Sequence, residues 1–153
     1  MSVVARNVSN MHSNVSAVNT RARDLAIRAE VAVRMVAQAQ AALARVFAEA
    51  AEYGMEQIAQ LASPSSREAE LPMRALAAEL GAAANMSDRT VQRRMNDAAT
   101  LQGSFPTTFD AWEEGRIGAG HVAVIMEHGL PIDDQDARAL FETEALRRAE
   151  ETT

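Results

Sequence analysis

From Thr20 to Tyr53 the chain contains neither Pro nor Gly, and Leu25, Ala29, Ala32, Val36, Ala39, Leu43, Phe47, Ala50 and Gly54 recur at steps of three and four. That spacing keeps one helix face apolar and predicts a long amphipathic helix over residues 20–62. Unbroken from 20 to 53, it would be about 51 Å long at 1.5 Å per residue, longer than a small domain is wide. Either part of the stripe meets a second helix, for which another copy of the chain is the simplest source, or the helix kinks and packs along its own domain. Ahead of it, residues 1–19 are rich in Ser, Asn and Val without either period, and read as a mobile arm or a weak helix.

Ala62, Ser63, Pro64, Ser65 and Ser66 form a linker. Beyond it the spacing predicts a compact helical domain over residues 66–153. Its first helix covers residues 72–84, with Pro72 in the first turn and Met73, Leu76, Ala77, Leu80 and Ala84 inward. Ser87 is placed to cap a second helix over 88–102. Pro106 opens a short helix closed by Gly115, another covers about 119 to 128 before Gly129, and Asp133 is expected to cap a last helix from about 134 to 151. The fold class is therefore all-α, a long N-terminal helix followed by a compact multi-helix domain.

Composition agrees with this. There are 32 Ala against four Phe, one Trp and one Tyr, and the seven Gly and four Pro all lie beyond residue 53. All fifteen basic residues are Arg, which with the excess of Ala points to a GC-rich genome rather than to function. The absence of Cys excludes disulfides, thiolate metal sites and cysteine nucleophiles. No recognisable signal peptide and no run of roughly 18 uninterrupted apolar residues are found, so a soluble, cytoplasmic protein is expected, with no membrane partner. The net charge of −6 is uneven: residues 1–62 carry six Arg and five acids, 63–102 five of each, and 103–153 four Arg against eleven acids. Without a global basic field, any contact with nucleic acid has to be local.

The inventory of reactive groups is short. His121 and His128 share a helix face but stand seven residues apart, about 10.5 Å along the axis, too far to hold one ion. A hydrogen-bonded structural role suits His121 better. Glu113 and Glu114 lie at a helix C-terminus and Asp133 and Asp134 at a helix N-terminus, where solvation and capping account for them. No phosphate loop, nucleophile elbow or HExxH motif occurs, so no catalytic residue, metal ligand or cofactor site is expected, and the chain reads as not an enzyme.

One constellation is informative. A helix through Leu76 and Leu80, a turn at Asn85, Met86 and Ser87, and a second helix from Asp88 have the layout of a helix-turn-helix. On a helical wheel Val91, Met95, Ala98 and Gln102 share an inward arc, while Arg89, Gln92, Arg93, Asn96 and Thr100 occupy the opposite one. These are residue types that reach phosphates and base edges. Asn85 stands where Gly is common, which its tolerance of left-handed backbone permits. Arg94 departs from the motif, which favours an apolar residue there.

At these residues the sequence resembles a known actinobacterial family. Ser87-Asp88-Arg89-Thr90-Val91-Gln92-Arg93-Arg94-Met95, then Phe105-Pro106-Thr107-Thr108 through Ala111-Trp112 to Gly115-Arg116-Ile117, then His121-Val122-Ala123-Val124-Ile125 are similar to the motifs of domain of unknown function 222, the thirteen-E-twelve repeat family. The resemblance spans about residues 66–150. Phe105 and Trp112 replace family leucines, and Ala123 replaces an arginine that could have met a phosphate. The resemblance implies an N-terminal helical module of an HNH endonuclease-like protein. The nuclease's own histidines and hairpin are missing from this chain, which is expected to be a fragment or a truncated member.

Two functions follow. In the first, the chain is a targeting module for double-stranded DNA: Arg89 and Arg93 contact phosphate or guanine, and Gln92 and Asn96 contact base edges. In the second it is an assembly module, a homodimer through the long helix with no contact to DNA, which the acidity of residues 103–153 favours.

Overall fold

The computed structural model describes residues 19–61 and 65–152, apart from the side chains of 66 and 67, and places helical backbone from Val3 onward. The arm expected at residues 1–19 lies, but for Asn19, outside the fully described residues, as does most of the linker expected at 62–66. Among the described residues all regular structure is helical: α1 (Val3–Ala59), α2 (Ser66–Ala84), α3 (Asp88–Ser104), α4 (Pro106–Glu113), α5 (Ala119–Gly129) and α6 (Gln135–Glu151). Two compact units divide the chain, Met1–Val36 and Ala37–Thr153.

In the first unit every described side chain is exposed. Leu25, Ile27, Val31, Val33, Met35 and Val36 are each about half exposed or more, interleaved with the i,i+4 pairs Asp24–Arg28 (3.9 Å) and Glu30–Arg34 (3.8 Å). By length and composition alone, Asn19–Ala59 could cross a membrane, its best 18-residue window having a mean hydropathy of 1.2. The segment holds no unbroken apolar run of that length, because scattered Gln and Arg interrupt it without lowering the mean far. Its later half is nevertheless committed elsewhere: Ala37, Ala41, Phe47, Ala48 and Ala51 are buried in the protein core.

That buried set corrects the expected stripe, of which Leu25, Ala29, Ala32, Val36 and Ala39 are exposed. Alanine populates several faces of α1, so periodicity alone could not select the one that packs. With this face of α1, the second unit assembles Val91, Met95, Ala98 and Leu101 of α3, Phe105, Phe109, Ala111 and Trp112, Ile117, Val122 and Ile125 of α5, and Leu146 and Ala149 of α6. Helix α4 is central, packing against α3, α5 and α6. Gly129 permits close packing at the end of α5: a Cβ there would lie 2.7 Å from Cζ of the fully buried Phe105 and 3.0 Å from Cε1 of Phe141.

Caps set the boundaries. Helix α2 begins earlier than expected, so Pro72 falls in its interior. Ser65 Oγ accepts from the Glu68 N–H (3.4 Å) and Glu68 Oε2 accepts from the Ser65 N–H (2.9 Å), a capping box that supports the start despite the hydrogen bond Pro72 forfeits. The residue that caps α6 is Asp134, not Asp133, through Oδ1 accepting from the Ala137 N–H at 2.7 Å. Gly115, at φ 71°, follows α4 in the left-handed region that suits glycine.

A half-buried ion pair ties α1 to α4. Arg45 Nε and Nη2 donate to Glu113 Oε1 and Oε2 at 2.8 and 2.6 Å, and the guanidinium carbon lies 4.0 Å from the Phe109 ring centroid. This bidentate bond from Arg45 holds the Glu113 carboxyl below its ordinary value of 4.5. A carboxylate with a lowered folded pKa stabilises the fold above its unfolded pKa and loses that contribution as pH falls through the folded value. Glu113→Gln should therefore cost about 1 kcal/mol near neutrality and progressively less on acidification below about pH 4.5, in urea titrations across pH. A pH-independent loss would show that the pair is not its source.

Candidate nucleic-acid interface

Helices α2 and α3 pack together closely, and the turn between them is built from local bonds. Asn85 ends α2 in left-handed backbone (φ 54°, ψ 47°), its N–H donating to the Gly81 carbonyl, and the Met86 N–H donates to the same carbonyl at 2.9 Å. Ser87 then caps α3, its Oγ accepting from the Thr90 N–H at 3.3 Å. Met86 is half-buried against the core, as are Leu80 and Leu76.

Val91 and Met95 are completely buried and Ala98 nearly so, which fixes the facing of α3. The expectation that Gln102 continues this face is corrected: Leu101 is buried, whereas Gln102 is exposed and its Oε1 accepts from Arg45 Nη1 at 3.3 Å. An amide with a charged donor in reach is better satisfied outside the core.

All four residues expected to meet DNA, Arg89, Gln92, Arg93 and Asn96, are exposed on α3 and spaced to share one face, with Thr100 half-buried beside them. Their electrostatic state is distinctive. Among the described arginines of the second unit, Arg45, Arg74, Arg116, Arg147 and Arg148 form ion pairs, and Arg138 donates to the Ile132 carbonyl. Arg89, Arg93 and Arg94 have no such partner among the described residues. The sequence could not show this, because it depends on which carboxylates the fold brings within reach.

The acidic C-terminal third is partly neutralised by the same pairing. Glu113 binds Arg45, Glu114 and Glu150 bind Arg116, and Glu144 and Glu151 bind Arg147. Glu113 is thus not merely solvated, as its position at a helix end suggested. His121 is half-buried, and its Nδ1 accepts from the Gly118 N–H at 3.4 Å, stabilising the start of α5; His128 is exposed. No group of three His, Cys, Asp or Glu residues able to hold a metal is found among the described residues.

No curated protein matches this sequence, and no solved structure matches it. The family described as "Domain of unknown function (DUF222)" matches residues 33–153, which take in the later part of α1 and every helix from α2 to α6. Four-fifths of the sequence falls within that match, and the chain belongs to the DUF222 family.

Proposed function

We propose that the chain is a helical module that targets double-stranded DNA, with α2, its turn and α3 acting as a helix-turn-helix unit. The supporting observation is that Arg89 and Arg93 are exposed on one face of α3 with Gln92 and Asn96, without a carboxylate partner among the described residues, while every described arginine of the same unit outside α3 is engaged. A guanidinium not already paired can exchange water and counterions for phosphate, the step that supplies most non-specific affinity. Gln92 and Asn96 would read base edges. In this reading the chain carries no catalytic step and needs no cofactor; it orients an HNH nuclease of the kind the family resemblance implies, in the cytoplasm where DNA is accessible.

Fluorescence anisotropy with a labelled duplex at low salt tests this. Arg89→Ala/Arg93→Ala should bind about tenfold or more weakly, with a slope of log affinity against log salt shallower by about two. Identical binding by the wild type and the double variant would overturn the assignment.

A second reading, assembly as a homodimer through α1, is supported by the exposed Leu25, Ile27, Val31, Val33, Met35 and Val36. Apolar side chains in such number on one helix favour a partner. Light scattering across a concentration series should then report a dimer that Val33→Glu/Val36→Glu converts to monomer. A monomer at every concentration removes this reading, and a dimer indifferent to DNA places it above the first.

A further inference from the structure

A cavity of about 300 Å³ lies on the second unit between the later part of α1, α3, α4 and α5. Phe47, Leu101, Trp112 and Val122 form apolar walls, and α3 contributes Arg94 and Asp97. None of these residues belongs to the set expected to meet DNA. One feature marks the cavity as more than a packing gap. Arg94, which the helix-turn-helix pattern would make apolar, is exposed here, as is Asp97; opposite charges three residues apart on one helix face, they form no ion pair with each other or with any described residue.

We propose that this cavity binds a small zwitterion with an apolar body, of the size and chemistry of a large apolar α-amino acid. The volume stands at the lower end of ligand pockets and suits a molecule of that size. A carboxylate pairs with Arg94, an ammonium pairs with Asp97, and the side chain enters between Phe47, Leu101, Trp112 and Val122. A simple anion would meet the Asp97 carboxylate and a simple cation the Arg94 guanidinium, so a ligand carrying both charges is the one that neither residue repels. The proposal is independent of DNA binding.

Trp112 is the only tryptophan, so its emission reports occupancy directly. The full chain would be titrated with L-phenylalanine, 3-phenylpropionate and 2-phenylethylamine. Phenylalanine should give a saturable change, and each singly charged analogue should bind about fivefold more weakly, the loss of one partly exposed charge pair. Arg94→Gln should weaken phenylalanine by about that factor without weakening phenylethylamine, and Asp97→Asn should do the converse with phenylpropionate. Ala123→Phe, at an exposed position lining the cavity, should abolish the response while leaving the helical circular dichroism unchanged. No saturable response to phenylalanine, or equal affinities for all three compounds that the Arg94 and Asp97 variants leave unaltered, would overturn the proposal.

Discussion

Replacing Phe109 with alanine should destabilise the second unit by about 3–5 kcal/mol, the range expected when a fully buried aromatic ring is truncated to a methyl group. Phe109 is 1% exposed on the central helix α4, with its ring centroid 6.3 Å from that of Trp112 and the Arg45 guanidinium carbon 4.0 Å from it. The loss combines transfer, cavity and a cation over an aromatic face, the last contributing about 1 kcal/mol at a half-buried site. Phe109→Leu separates these terms: it retains most of the volume, and so should lose roughly a third as much. Arg45→Ala made in the Phe109→Leu background should then cost less than in the wild type, because the ring contact is already gone and only the bonds to Glu113 and Gln102 remain. Urea unfolding followed by Trp112 fluorescence and far-ultraviolet circular dichroism measures all four. A loss below about 1 kcal/mol for Phe109→Ala would show that α4 is not central to stability.

The parts of this fold that are legible in the sequence are those fixed within one helix or one turn. Ser87, Pro106 and Gly115 mark helix ends because capping chemistry and backbone freedom are local. Val91, Met95 and Ala98 reveal the facing of α3 because their arc contrasts with one made of Arg, Gln and Asn. The same logic fails on α1, where alanine on several faces leaves no contrast and the packed face is chosen by what lies across from it. It also fails at Pro72, where the Ser65 and Glu68 capping box extends the helix past a residue that usually begins or breaks one. The engagement of Glu113 by Arg45 is beyond local reading altogether, since 68 residues separate them. For the candidate interface, sequence placed Arg89, Gln92, Arg93 and Asn96 on one face, but only the fold distinguishes arginines with partners from those without.

Glu142 illustrates the long-range part most sharply, and its replacement by alanine should cost about 2–4 kcal/mol. The side chain is 4% exposed on α6, yet Oε1 accepts from the Thr108 N–H at 2.7 Å, in the first turn of α4. That turn has no cap of its own: Phe105 occupies the capping position without a side-chain acceptor, and Pro106 follows with no N–H to satisfy. A carboxylate brought from another helix therefore caps α4, favoured by the partial positive charge of its N-terminus. Alanine would remove a charge-assisted bond, leave the Thr108 amide buried without an acceptor and open space beside a hydroxyl, Thr108 Oγ1, that is already buried and unpaired. Glu142→Gln keeps an acceptor of similar shape, so it should lose only about 1 kcal/mol, the difference between a charged and a neutral acceptor. Hydrogen exchange of the Thr108 amide offers a local check: it should become much faster in the alanine variant and change little in the glutamine variant. Equal destabilisation by alanine and glutamine, with unchanged exchange at Thr108, would mean that Glu142 contributes through packing alone and that α4 is held at its start by some other group.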